Sequence, residues 1–452
     1  MMLFTNYLTS AWRNILNHKL FSAINILGLA IGLAAVMLIA LFVRDELSYD
    51  NFWTKADNIY RAHISFFIPG RDPMNAVSMP GPVIHALKKD FPQITNATRI
   101  GQSNPTLVID GNYFLEDISL VDSDIVNMFD FNVVAGDLSA ALNDNSSLVL
   151  NQTIANKYFG EKNPINQVIN IDFGVFKRDY KVAAIIKDMP TNSQINIKSM
   201  ISIDEEAWKD EEYMFAAWFS INAQLFFELK EGENISTISD QINDFINRNF
   251  PLLPFAGPDK KMSDLITIKS VNIKDLHLKS IGFGEYRDRG DINTVLIFSA
   301  VATLILIIAS INFMNLSTAR ASQRAKEVSL RKVMGASRKN LIFQFLGESI
   351  LLTLLGLIIA LSIVELTLPI YNEILTKQLF INYASVDFIY IIILALSVGT
   401  LAGTYPAFIL SSFRPVENLK ANKSVETSAS AKLRAVLVIF QFAVSIALFV
   451  ST

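Results

Sequence analysis

The densest run of chemistry-bearing side chains extends from Arg320 to Glu348 and reads R-A-S-Q-R-A-K-E-V-S-L-R-K-V-M-G-A-S-R-K-N-L-I-F-Q-F-L-G-E. Arg324, Arg331 and Arg338 are seven residues apart, and Lys332 and Lys339 share that spacing. On one helix these cations form a single stripe. Leu330, Val333, Met334, Leu341 and Phe345 gather on the opposite side, and Gly335 sits where such a helix could bend or end. The chemistry is recognition: the stretch can lie along an inner leaflet or dock into a groove of a cytoplasmic partner. Charge alone does not separate docking from topology, because multi-pass proteins collect Lys and Arg in their cytoplasmic loops in any case.

No catalytic constellation accompanies it. His18, His63, His85 and His277 are far apart and lack metal-ligand spacing, so each reads as a surface or core histidine. G-x-S-x-G, H-E-x-x-H and Walker A patterns do not occur. Any ATP and Mg that the protein works with must therefore be bound by another chain. The sequence holds no Cys, which excludes disulfides, thiolate chemistry and Cys-based zinc sites. A net charge of -3 gives no ground for a nucleic-acid partner.

The elements that must position the basic stretch follow from hydropathy. The chain has 452 residues, 51% hydrophobic and 18% charged, with mean hydropathy +0.35. That balance fits membrane spans plus a sizeable polar domain. Apolar runs fall at 20–43, 291–318, 342–368 and 388–411, with a fifth at 433–452. The first is longer than a signal-peptide core, follows a polar stretch and lacks a small-residue cleavage site, so it reads as a retained span. Lys and Arg flank the first span on its N-terminal side (Arg13, Lys19) and crowd the loops 319–341 and 412–432, whereas the short loop 369–387 offers only Lys377. This alternation places the N-terminus and both basic loops in the cytoplasm and residues 44–290 outside. The expected architecture is a membrane α-helical bundle plus an α+β extracytoplasmic domain: one span, the large domain, three spans and a terminal fifth. Phe4, Tyr7, Leu8, Ala11, Trp12 and Ile15 recur at helical spacing, so residues 1–19 read as an interfacial helix against membrane lipid.

Within 44–290, strands are expected at Tyr180 to Ile186, Leu225 to Leu229, Leu265 to Ile268 and Leu148 to Leu150. Helices are expected over Gly81 to Phe91 and Asn151 to Phe159, and an amphipathic one over 235–249. Pro251 to Pro258 reads as a loop. The domain is large enough for one α+β unit or two lobes. Gly28 and Gly32 form a G-x-x-x-G suited to close helix packing. Asn312 and Asn315 are expected to pack between helices. Glu348 and Glu365, near the two ends of the third run, are expected to reach the interfaces by snorkelling.

The segment K-E-V-S-L-R-K-V-M-G-A-S-R resembles the cytoplasmic signature of FtsX/MacB-type ABC transporter permeases. A-N-K-Y-F-G-E-K-N-P-I at Ala155 to Ile165 is similar to the A-x-x-x-F-G-x-x-x-P-[VI] of a MacB-like periplasmic core domain. W-R-N-I-L-N-H-K before the first span and Y-P-A-F-I-L-S-S-F-R-P-V from Tyr405 also look like that family. The resemblance implies a permease subunit without enzymatic activity of its own, in the bacterial inner membrane. A separate cytoplasmic ABC ATPase would engage it through Arg324, Lys326, Glu327, Arg331, Lys332, Gly335, Ser337 and Arg338. The motion would serve export or extraction of a hydrophobic or peptide-like substrate, or activation of a periplasmic partner. Residues 433–452 are similar to the start of a second unit, so the chain reads either as the N-terminal half of a two-unit permease or as a complete protein with an extra anchor. A second permease unit is implied as a partner. The alternative is a membrane-anchored sensor or scaffold without transport, which would need no ATPase.

Overall fold

The computed structural model describes residues 9, 12–109, 111–252, 259–319, 321–412 and 428–451. It divides into two compact units, one of Met1–Asp45 with Asn293–Thr452 and one of Glu46–Ile292.

Helices build the first unit: α1 (Lys19–Leu47), α2 (Ile292–Ala319), α3 (Ala321–Val333), α4 (Arg338–Leu375), α5 (Val386–Ser412) and α6 (Ser428–Ser451). By length and composition, α1, α2, α4 and α5 can each cross a membrane. The fifth run expected at 433–452 falls in α6, whose described apolar stretch is Ala435–Ala447. α4 has 38 residues, so it is about 57 Å long against the roughly 30 Å of a hydrocarbon core, and its ends extend past the apolar region. Residues 12–17 are helical. Phe4, Tyr7, Leu8 and Ala11 of the expected interfacial helix lie outside the described residues, as do 413–427 of the expected linker and 253–258 of the expected loop.

Lipid tails offer helices no hydrophobic drive to associate, so close approach of small residues has to hold the bundle. A Cβ on Gly32 of α1 would lie 2.8 Å from Ala309 Cβ of α2, and one on Gly28 would lie 3.3 Å from Asn312 Nδ2. The G-x-x-x-G of the first span is thus a packing face. A second one, Gly399 and Gly403 of α5, packs on Thr353 and Ser349 of α4, where added Cβ atoms would come within 2.9 Å and 2.5 Å. Around these contacts Ala30, Leu33, Ala34 and Met37 of α1 meet Leu357, Ala360 and Val364 of α4.

The second unit is built on one mixed 14-stranded sheet. Its main path runs Ile266–Asn272, Ile59–Phe66, Ile221–Leu229, Ile94–Ser103, Ile118–Val121, Ser199–Ser202, Ser147–Asn151, Lys177–Ile186, Val168–Asp172, Thr106–Ile109, Asn112–Leu115. All four strands expected from the sequence are among these. Two pairings are parallel, Lys177–Ile186 with Ser147–Asn151 and Ser199–Ser202 with Ile118–Val121. The helix Ser236–Asn249 buries Ile238, Ile242, Phe245 and Ile246 against this sheet and the helix Val83–Asp90. The helix Gln152–Phe159 starts where Asn151 Oδ1 accepts the Ile154 N–H at 2.8 Å, and ends at Gly160, whose φ of +58° suits glycine. The expected histidine roles divide. His85 is exposed beside Glu205. His277 is buried, stacked on Tyr49 and bonded to Glu46 at 3.0 Å. His63 is buried and accepts the Arg61 Nε–H at 2.9 Å.

Candidate coupling site

The basic stretch folds as two helices joined by a tight turn. α3 ends at Val333 because Gly335 adopts φ +95°. Its N–H donates to Lys332 O at 3.0 Å and the Ala336 N–H donates to Arg331 O at 2.9 Å, which closes the last turn. Ser337 opens α4: its side-chain oxygen accepts the Asn340 N–H at 3.2 Å. Gly335 and Ser337 therefore act on the backbone, as the stop of one helix and the start of the next.

The inward face of α3 is fixed by packing and by two polar anchors. Val328 packs with Leu341 and Phe345 of α4 and Ala407 and Leu410 of α5. Arg324 grips Glu348 of α4 through both guanidinium nitrogens, at 2.7 Å and 3.0 Å, and lies over the Phe345 ring. Asn14 donates to the same carboxylate. At the other end of α3, Lys332 Nζ donates to Ser411 O of α5 at 2.7 Å, and Arg338 Nε reaches Ser411 Oγ at 3.5 Å. Burial, then the neighbouring Arg338 charge, push the Lys332 ammonium below its usual pKa.

The outward face carries the opposite chemistry. Leu330, Val333 and Met334 are 54%, 66% and 79% exposed. Glu327 and Arg331 pair at 2.7 Å one turn apart beside them. Arg338, Lys339 and Asn340 follow, exposed, on the first turn of α4.

Three expectations are corrected. The seven-residue spacing does not make one stripe, since the helix ends at Val333: Arg324 turns inward, Arg331 faces outward and Arg338 belongs to α4. The five apolar residues do not share a face either, because Leu341 and Phe345 are core while Leu330, Val333 and Met334 are exposed. Glu348 does not snorkel; it is buried and ion-paired. Glu365, at the other end of α4, accepts from the Tyr383 hydroxyl at 2.5 Å in an exposed position. Lys326 lies in α3, with its side chain outside the described residues. Glu348, Asn14 and Ser411 were not expected as partners. One signal pointed to Glu348: a carboxylate in an apolar run needs a cation nearby. Asn14 and Ser411 left no comparable trace. Among the described residues no cluster of His, Asp or Glu suits a metal ion.

The family model of the MacB-like periplasmic core domain matches residues 22–245, and that of the FtsX-like permease C-terminal domain matches residues 299–415. A macrolide export ATP-binding/permease protein, MacB, of Bdellovibrio bacteriovorus is 21% identical over 278 residues, 60% of this chain and 38% of that one. The chain thus spans well under half the length of that relative. An uncharacterized ABC transporter permease, YvrN, of Bacillus subtilis is 21% identical over 434 residues, 91% of this chain and 98% of that one. The periplasmic region of MacB from Actinobacillus actinomycetemcomitans, known as a crystal structure, aligns over 49% of this chain and 91% of its own with 11% identity and a TM-score of 0.33.

Proposed function

The chain belongs to the family of ABC transporter permeases that join a MacB-like periplasmic core domain to an FtsX-like permease domain, and on that premise we propose that α3 and the turn to α4 are the docking surface for a separate cytoplasmic ATPase. Nucleotide-driven movement of that ATPase would be received at Leu330, Arg331, Val333 and Met334. It would pass through the Arg324–Glu348 and Lys332–Ser411 anchors into α4 and α5. In this reading the N-terminus and α3 are cytoplasmic, residues 46–292 are periplasmic, and a second permease unit completes the transporter. The work done is export or extraction of a hydrophobic or peptide-like substrate, or mechanical activation of a periplasmic partner.

One observation carries the reading: an exposed apolar edge, Leu330–Val333–Met334, on a short helix whose other face is anchored to two long apolar helices. Three neighbouring large apolar side chains left uncovered by the chain's own packing, beside an ion pair, have the composition of a docking face. A scaffold that works without an ATPase has no need of that edge.

Replacing Arg331 and Arg338 by Glu tests the proposal. In the reconstituted complex, ATP hydrolysis should lose its coupling to transport or partner activation while the permease still inserts and purifies in normal amount. Unchanged coupling excludes this surface as the transmission point.

A further inference from the structure

At the end of the bundle away from α3, α1 and α5 enclose a groove of about 330 Å³. That volume lies at the lower end of the range of about 300–1,000 Å³ for small-molecule sites. Its walls are apolar, formed by Val36, Met37 and Leu41 of α1 with Ile381, Ile391 and Leu394. Its mouth is closed by one ion pair, Arg44 Nη2 to Asp387 Oδ2 at 2.8 Å, with the two side chains 53% and 43% exposed. The neighbouring carboxylate, Asp45, pairs with Lys377. An exposed pair of this kind contributes little to stability and can be shared with a ligand at small cost.

We propose that this groove holds a zwitterionic phospholipid with a primary ammonium headgroup, a phosphoethanolamine lipid. Its phosphate would accept from Arg44, its ammonium would donate to Asp387, and one acyl chain would lie along the apolar wall. Charge complementarity selects this occupant. The mouth presents one cation and one anion side by side, the mirror of a phosphate and an ammonium on one headgroup. A phosphoglycerol lipid satisfies Arg44 but sets its net negative charge against Asp387. A phosphocholine lipid places a quaternary nitrogen there with no N–H to donate. The groove is a lipid-binding site of the permease itself, distinct from any transported substrate. The proposal rests on α1 and α5 being membrane spans and not on the ATPase reading, so either can fail without the other.

Native mass spectrometry of the full chain, released from membranes containing equal phosphoethanolamine, phosphoglycerol and phosphocholine lipids, tests it. Wild-type protein should retain the phosphoethanolamine lipid about tenfold over either competitor, the scale of one charge-assisted hydrogen bond. Asp387→Asn should abolish that preference over the phosphoglycerol lipid, and Arg44→Ala should release all three. Equal retention of the three lipids by wild-type protein overturns the proposal, and so does an unchanged preference in Asp387→Asn. A cysteine at Ala40, on the groove, should form no disulfide between copies; efficient cross-linking there would assign the groove to a second copy and overturn the lipid.

Discussion

Arg324 and Glu348 sit on different helices, 24 residues apart, and each is largely shielded from water. A charge in such a place is tolerated only with its partner, and removal of one partner strands the other. Glu348→Gln should destabilise the protein by about 2–4 kcal/mol, read as a drop in the thermal midpoint of the detergent-solubilised chain. The double replacement Arg324→Met with Glu348→Met should recover most of that loss, since a well-packed apolar pair often substitutes for a buried ion pair. Additive losses in the double variant would show that the two do not act as a pair. In the second unit, burial, then the Arg61 and Arg289 charges, hold His63 down to about 3 from 6.5. Because the folded value lies below the unfolded one, this histidine's contribution is complete above about pH 6.5 and is lost as the pH falls toward 3. His63→Gln keeps an acceptor for Arg61. Tryptophan-monitored unfolding should therefore show wild type losing stability relative to His63→Gln between pH 6.5 and pH 4, and a constant difference across that window would contradict the assignment.

At the scale of elements, glycines define where helices meet and where they stop, and the two uses predict different costs. A side chain at Gly403 of α5 would drive into Ser349 of α4, where even a Cβ comes within 2.5 Å. Gly403→Leu should therefore separate the two helices and abolish stable purification. Gly335 is unlike it: no atom lies within 4 Å of its missing Cβ, so Gly335→Ala meets only the left-handed backbone penalty of about 1 kcal/mol. Its midpoint should shift slightly. Comparable losses in the two variants would mean that the turn is packed rather than merely bent.

The apolar spans are legible because a run of about twenty residues with few or no charges has few alternatives, and the strands at 147–151 and 177–186 because turn residues bound them. The packing face at Gly28 and Gly32 is legible through their four-residue spacing. The basic stretch is legible in composition but not in geometry. Seven-residue spacing is a sign of one face only on an unbroken helix, and the break depends on the backbone of Gly335 and the side chain of Ser337. The Glu348 pairing was hidden for the same reason, since Arg324 reaches it only because the chain folds back at that turn. The joining of two parallel pairings into one sheet left no local signal, as each partner lies tens of residues from the other.

At the scale of the whole molecule, labour is divided. A bundle held by small-residue contacts carries a folded sheet domain between its first two long helices in the chain, and a short helix with one anchored and one bare face links the second long helix to the third. The bare face is the central claim, because it assigns the ATPase to a particular edge. A photo-reactive amino acid at Met334 measures this most directly in intact cells, with the same probe at Ile374, exposed at the other end of α4, as the comparison. Met334 should form a covalent adduct with a cytoplasmic ABC ATPase, and Ile374 should form none. An adduct from Ile374, or none from Met334 while the ATPase still co-purifies, would contradict that claim.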